Sequence, residues 1–169
     1  MKRIYVLVLL SLFVGLSGFQ ENGKKEKKAR QRLEMAQLIQ SGQFRFVART
    51  AHSDLGTFNH LAANYDMVFD SLRVKAYLPY YGRAYSAPYG GSGGVKFDLK
   101  ASKLDRSWNE KKKLFTITAD LSDSEDSYSI FLTAGLDGYA DLKITFRNRQ
   151  WISYYGVIEK TEAVRHEQK

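Results

Sequence analysis

The sequence predicts a mainly β (α+β) protein, with about eight antiparallel strands in a curled meander or open barrel-like sheet and one N-terminal helix. Between Phe44 and Ile158 apolar residues recur at every second position, as on strands with one buried and one solvated face. Residues 24–40 hold no glycine or proline and many helix-forming residues. A chain of 169 residues, 44% of them hydrophobic, can bury a core without disulfides, and this chain has no cysteine.

A secretory signal peptide is predicted over residues 1–18. Lys2 and Arg3 precede an apolar run over residues 4–16, and two small residues follow, which is the order typical of export signals. The run is shorter than the roughly 20 apolar residues of a membrane-spanning helix. Because no cysteine follows that could carry a lipid anchor, we expect a periplasmic or secreted protein.

Residues 19–42 are predicted to form a basic leader that continues into the helix, which Ser41 and Gly42 end. Most of the net charge of +8 lies before Leu33, in the predicted signal peptide and the leader. Of 26 basic and 18 acidic residues, eight and two respectively precede Leu33, which leaves 18 against 16 in the remainder. The folded part is therefore nearly neutral, and we expect no nucleic-acid partner and membrane contact at most through the leader.

A single β domain is predicted over residues 43–160, followed by a polar tail over residues 161–169. Turn residues separate the alternating segments, and those after residue 112 form a four-stranded meander. Residues 50–64 fit no element and are interpreted as a loop. The predicted strands cover residues 44–49, 65–69, 72–78, 95–99, 115–121, 128–134, 140–146 and 151–158.

Two sequence patterns could indicate catalysis, but neither has the surrounding structure or spacing that its chemistry requires. Residues 90–94 match the letters of the G-x-S-x-G nucleophile motif, but a predicted strand follows where the motif needs a helix. The three histidines, His52, His60 and His166, lack the spacing of a zinc site, and the first two are interpreted as solvent-facing loop residues. No catalytic residue, metal or cofactor is therefore assigned.

Acidic residues offer the remaining routes to chemistry. The acidic residues within 120–126 do not match an EF-hand loop and are interpreted as a charged hairpin tip. A second hypothesis is a periplasmic hydrolase that acts on glycans or peptides through carboxylates such as Asp70, Asp98 or Asp141, which would have to converge in a cleft. A third is a structural or oligomeric envelope component that associates through exposed strand edges.

The segment Leu78–Gly94 has the most unusual composition in the chain. It holds both prolines, five of the thirteen glycines and four of the eleven tyrosines, with Arg83 among them. Tyrosines present apolar faces with a polar tip and suit recognition of proteins or sugars. In the alternative, the tyrosines fold back over an open end of the sheet. The candidate binding residues are Tyr80, Tyr81, Arg83, Tyr85, Tyr89, Trp151 and Tyr154.

Four blocks of the sequence resemble a family of exported Bacteroidetes proteins, the domain of unknown function 4251. The first is Asp70–Tyr89, centred on the letters LPYYGRAY, and the others are GVKF from Gly94, GYADL from Gly138 and RQWISYYG from Arg149. The resemblance covers roughly residues 44–158. It implies an export signal and a mostly β domain, and it implies no activity, so no catalytic residue is carried over.

These observations favour a non-catalytic binding or accessory module of the cell envelope, with the Tyr/Arg/Gly-rich segment as its contact surface. The expected partner is an envelope protein or a glycan, of unspecified identity. The oligomeric state is left open.

Overall fold

The computed structural model describes residues 23–53, 56–62, 64–83, 85, 94–124 and 126–161. The predicted signal peptide and most of the predicted tail therefore lie outside the described residues. Within them the chain forms one helix, α1 (23–41), and ten strands. The strands are β1 (Gln43–Ser53), β2 (Phe58–His60), β3 (Asp66–Asp70), β4 (Arg73–Pro79), β5 (Gly94–Lys100), β6 (Lys103–Asn109), β7 (Leu114–Ser122), β8 (Ser127–Gly135), β9 (Tyr139–Phe146) and β10 (Ile152–Glu159).

The chain divides into two compact units, one ending at Glu34 and the other beginning at Met35. The described part of the first unit is the exposed stretch of α1 over residues 23–34, where Arg30 and Glu34 form an ion pair one helical turn apart. No helix within the described residues is long and apolar enough to cross a membrane.

The strands of the second unit form one antiparallel sheet in the order β5-β4-β3-β1-β10-β9-β8-β7-β6, with β2 paired to β1. The predicted mainly β fold and the meander from β7 to β10 are confirmed. The sheet curls into a half-barrel, so that Phe97 of β5 packs on Tyr128 of β8 with ring centroids 4.6 Å apart. The Ser102 amide donates to Asp120 O of β7, which further links the two sides.

The core lies on the concave face of this sheet. Alternate residues of β7, β8 and β9 are buried, as the period of two predicted. Ile39 of α1 is fully buried in the same cluster, and Met35 and Leu38 pack against it. The last turns of α1 therefore close the end of the half-barrel at which β1, β4 and β9 begin.

The described residues form ten strands where about eight were predicted, and the stretch 50–64, which the sequence left unassigned, is partly strand. β1 continues to Ser53 through a bulge between Ala48 and Thr50, and it pairs with the short strand β2. The bulge interrupts the period of two that marks a strand in sequence. The sequence analysis missed β6 because Arg106 breaks the apolar alternation. Arg106 is the cross-strand partner of the buried Ile117 of β7, a position at which a period of two requires an apolar residue.

Candidate functional site

The β4–β5 connection, residues 80–93, holds most of the predicted binding residues. It starts at the end of the half-barrel opposite to α1, and the described part comprises residues 80–83 and Tyr85. Tyr89 lies outside the described residues.

Backbone hydrogen bonds tie the described part of the connection to the turn between β9 and β10. The Gln150 amide donates to Arg83 O at 3.0 Å, and the Tyr85 amide donates to Asn148 O at 2.9 Å. The Arg83 amide donates to Gln150 Oε1 at 3.1 Å. β4 and β9 are four places apart in the sheet, so these bonds hold Arg83 and Tyr85 across the open end of the half-barrel.

Side chains along the connection differ in direction. The Tyr80 hydroxyl lies 2.8 Å from Gln150 O and 3.0 Å from Arg83 O and shares its one proton between them. Gly82 lies against this hydroxyl, where a Cβ atom would collide with it. Tyr81 and Tyr85 are 39% and 73% exposed, and Arg83 is exposed as well. Tyr80 thus anchors the connection, while the other three present their side chains to solvent.

The two predicted residues of the β9–β10 region differ in burial. Tyr154 is 1% exposed, and its hydroxyl donates to Pro79 O at 2.7 Å, which fixes the end of β4 from inside the core. Trp151 is half-buried, and Lys143 Nζ lies 4.5 Å from its ring centroid. The structure therefore brings Tyr81, Arg83 and Tyr85 to the surface and leaves Tyr154 beneath it.

Arg149 joins the elements that meet at this end of the half-barrel. Its Nε lies 3.2 Å from Asp126 Oδ2, and its Nη1 donates to Gly94 O at 3.3 Å. Its Cζ lies 4.4 Å from the ring centroid of Phe146 and 5.2 Å from that of Tyr80. One guanidinium thus ties the β7–β8 turn to the start of β5 and lies over the ring of the anchoring tyrosine.

Asp126 is buried, with 7% of its surface exposed. Its Oδ1 accepts the amides of Ser127 at 2.9 Å and Arg147 at 3.1 Å, and its own amide donates to Asp123 Oδ1 at 2.8 Å. A buried carboxylate is tolerated when it is paired and hydrogen-bonded in this way. Residues 120–126 were interpreted as a charged hairpin tip; Asp126 lies in the β7–β8 turn as expected, with its carboxylate turned inward.

The tyrosines behind this surface are held in their neutral form. Burial, reinforced by the neighbouring Asp123 carboxylate, raises the pKa of Tyr128 to about 12. Burial also raises the pKa of Tyr80 and of Tyr154. At neutral pH these hydroxyls act as hydrogen-bond donors, and they are poorly suited to serve as a general base.

Two of the three carboxylates of the hydrolase hypothesis share a surface cleft of about 780 Å³. Arg73 donates to both oxygens of Asp98, at 2.6 and 3.0 Å, and Gln43 donates to Asp70 at 3.0 Å. The hydrogen bond from Arg73 lowers the pKa of Asp98, whereas a general acid needs a raised one. Asp141 lies on β9, which does not line the cleft. This arrangement does not favour glycoside hydrolysis.

The histidines near β2 are strand residues, contrary to the predicted loop. His52 of β1 and His60 of β2 both contact the Phe58 ring, with centroids 4.6 and 4.9 Å apart, and both are exposed. His166 lies outside the described residues. Across the described ranges, no three His, Asp or Glu side chains are grouped to hold a metal ion.

Comparison with known families gives a match along most of the chain. The sequence profile of the domain of unknown function DUF4251 matches residues 26–158. The chain belongs to the DUF4251 family. The resemblance that the four sequence blocks indicated is thereby confirmed.

A solved DUF4251 structure shows the same fold. The crystal structure of a DUF4251 family protein from Bacteroides eggerthii DSM 20697 aligns with a TM-score of 0.61 and 19% identity, over 78% of this chain and 89% of that chain. No curated protein matches this chain.

Sequence reasoning missed the residues that hold the surface of this DUF4251 domain in place. Arg149, Asp126 and Gln150 lie in turns, and their partners are distant in sequence, so no periodic pattern marks them. The family block that begins at Arg149 was the one available signal.

Proposed function

We propose that this DUF4251 protein is a non-catalytic binding module whose contact surface is formed by Tyr81, Arg83 and Tyr85, with Trp151 at its edge. The observation that carries the proposal is an exposed pair of tyrosines on an anchored backbone. Tyr81 and Tyr85 are 39% and 73% exposed, while backbone hydrogen bonds hold Arg83 and Tyr85 to the β9–β10 turn.

Anchoring matters because ordering a loop on binding costs free energy. A connection that is already bonded to Asn148 and Gln150 loses less conformational freedom when it meets a partner. Tyr80 and Tyr154 support it from beneath, because each donates its hydroxyl proton to a backbone carbonyl of this region. We therefore assign these two predicted residues a supporting role.

The exposed side chains suit a protein or glycan partner. Tyrosine and arginine are enriched among residues that dominate binding energies, since they combine a broad apolar surface with polar groups. The neutral phenols and the paired carboxylates described above support a binding role over a hydrolytic one.

We infer that the module works outside the cytoplasm. The inference rests on the order of basic, apolar and small residues over positions 1–18. N-terminal sequencing of the protein purified from its own cells tests it: a start near residue 18 or 19 supports export, and an intact Met1 in cytosolic protein contradicts it.

Capture from cell envelope extracts tests the contact surface. Tagged protein beginning at residue 19 is compared with the triple variant Tyr81→Ala/Arg83→Ala/Tyr85→Ala, and bound proteins and glycans are identified by mass spectrometry. A matched control, Phe131→Ala/Tyr155→Ala/Lys100→Ala, removes two exposed aromatic residues and one cation from strands outside the proposed contact surface.

We expect the triple variant to retain at least about tenfold less of the enriched material, since three contact residues that contribute on the order of 1 kcal/mol each together weaken binding by roughly a hundredfold. The control variant should capture as much as the parent. Undiminished capture by the triple variant, or an equal loss in the control, contradicts the proposed surface.

A further inference from the structure

A second candidate ligand site lies at the other end of the domain, next to α1. It is the cleft of about 780 Å³ between the last turn of α1, strands β1, β3, β4 and β5, and the residues after β10. Its volume is in the range of small-molecule sites, which is about 300–1,000 Å³. The cleft shares no residue with the contact surface proposed above.

Charges in this cleft are unequally matched. Arg73 is paired with Asp98, and Asp70 accepts a hydrogen bond from the Gln43 amide. Lys75 and Lys160 also line the cleft, and the side-chain ammonium group of neither forms a hydrogen bond or ion pair with another described residue. The cleft is lined by three cationic side chains and two carboxylates, so its net charge is positive. The two ammonium groups are the cations that have no carboxylate in the described part of the chain bonded to them.

Apolar side chains lie beside these ammonium groups. Val68 of β3 is the direct cross-strand neighbour of Lys75, and Leu38 of α1 lines the same cleft. Both apolar residues are half-buried, so each offers part of its surface to a ligand. Asp98 is the neighbour of Lys75 on the other side and lowers the positive potential there.

We propose that this cleft binds a small amphiphilic carboxylate. Its apolar chain contacts Leu38 and Val68, and its carboxylate lies between Lys75 and Lys160. A charged head alone would bind only weakly at such an exposed site, and an apolar chain alone would make no contact with the two ammonium groups. A ligand with both parts makes use of all four side chains.

Titration with decanoate tests the proposal, with the uncharged decanol as the matched probe. Binding to protein beginning at residue 19 is followed by calorimetry and by backbone amide shifts in NMR spectra. The variant Lys75→Gln/Lys160→Gln removes both charges, and Lys111→Gln/Lys112→Gln is the control in the exposed β6–β7 turn. All four lysines are surface residues or cleft-rim residues, so both variants are expected to fold.

We expect decanoate to bind saturably, with shifts concentrated around residues 38, 68 and 75, and to bind about tenfold more tightly than decanol. The Lys75→Gln/Lys160→Gln variant should bind decanoate at least about tenfold more weakly, as expected for loss of charge-assisted contacts. The control should bind as the parent does. The variant Asp98→Asn should bind more tightly, because it removes the anion next to Lys75.

Four results would overturn the proposal. They are absence of saturable binding, equal affinity for decanoate and decanol, shifts centred away from the cleft, and unchanged affinity in Lys75→Gln/Lys160→Gln. None of these results bears on the Tyr81, Arg83 and Tyr85 surface, so the two proposals fail separately.

Discussion

The guanidinium group of Arg106, on edge strand β6, lies directly against Gly42 at the end of α1. A Cβ atom on Gly42 would lie 2.5 Å from Arg106 Cζ and from both terminal nitrogens. Arg106 Nη1 donates to Gln40 O at 3.3 Å, and Nη2 to Ser71 O at 3.5 Å. Arg106 thereby satisfies a carbonyl of the last helical turn and places a positive charge at the negative end of the helix.

Gly42→Ala should destabilise the protein for two reasons. Gly42 has φ of +71°, where an alanine costs roughly 1–2 kcal/mol, and the new methyl group displaces Arg106. Gly56 is a matched control, because it has φ of +73° and no atom within 4 Å of its would-be Cβ. In urea unfolding we expect a loss of about 2–3 kcal/mol for Gly42→Ala and about 1 kcal/mol for Gly56→Ala.

The difference between these two variants isolates the contact with Arg106. In an Arg106→Ala background the two glycine substitutions should cost the same free energy of unfolding. If Gly42→Ala and Gly56→Ala already cost the same in the parent protein, the Arg106 contact contributes nothing measurable.

The pairing of β1 with β10 requires a glycine at position 156. Gly156 of β10 pairs with Ala48 of β1, and a Cβ atom there would collide with Val47 O and lie 2.9 Å from the Phe46 ring. Because a backbone carbonyl cannot move without breaking the β1–β10 pairing, we expect Gly156→Ala to cost on the order of 3 kcal/mol or more.

Urea unfolding of Gly156→Ala/Phe46→Leu separates the two obstructions. The Phe46→Leu change removes the ring contact, but it should not restore the stability lost in Gly156→Ala, since the collision with Val47 O remains. Gly23→Ala serves as the control, because Gly23 lies in α1 with no atom within 4 Å of its would-be Cβ, and this change should not destabilise. Full recovery in the double variant would mean that the ring is the main obstruction.

What the sequence predicts here follows from periodicity. Apolar alternation marked β7 to β10 because each of these strands buries alternate residues on one face. It failed where a residue breaks the period, as Arg106 does in β6 and the bulge after Ala48 does in β1. For the candidate site, composition pointed to the β4–β5 connection, but the direction of each side chain depends on contacts with residues some 70 positions away, such as Tyr80 with Gln150.

The buried ion pair of Arg149 and Asp126 should be worth more than the exposed pair of Arg73 and Asp98. In the first pair the side chains are 18% and 6% exposed, and in the second 68% and 36%. Removing one partner of a buried pair leaves an uncompensated charge and costs about 3–5 kcal/mol, whereas an exposed pair is screened by solvent and contributes little to stability.

Asp126→Ala and Asp98→Ala test this contrast in urea unfolding. We expect a loss of at least about 3 kcal/mol for the first and a much smaller loss for the second. Since Arg149 also lies over the ring of Tyr80, the NMR shifts of residues 80–85 should change in Asp126→Ala and stay unchanged in Asp98→Ala. If both variants lose a similar free energy of unfolding, burial does not determine how much the ion pair contributes to stability.

High pH should unfold the domain through its buried tyrosines. Burial and the Asp123 carboxylate raise the pKa of Tyr128 to about 12 in the folded state, against about 10 in an unfolded chain. Between these values the unfolded chain has released a proton that the folded protein retains, so the free energy of unfolding falls as pH rises. Burial raises the pKa of Tyr154 as well, and it acts in the same direction.

Tyr128→Phe isolates one contribution to this alkaline unfolding. At neutral pH the variant loses the hydrogen bond from Tyr128 to Asp123 Oδ2, which is 3.1 Å long, and should be less stable by about 1 kcal/mol. Above about pH 10 its stability should fall less steeply than that of the parent, because the residue no longer has a proton to release. Urea unfolding at a series of pH values measures both slopes, and parallel curves for parent and variant would exclude Tyr128 as a cause of the loss.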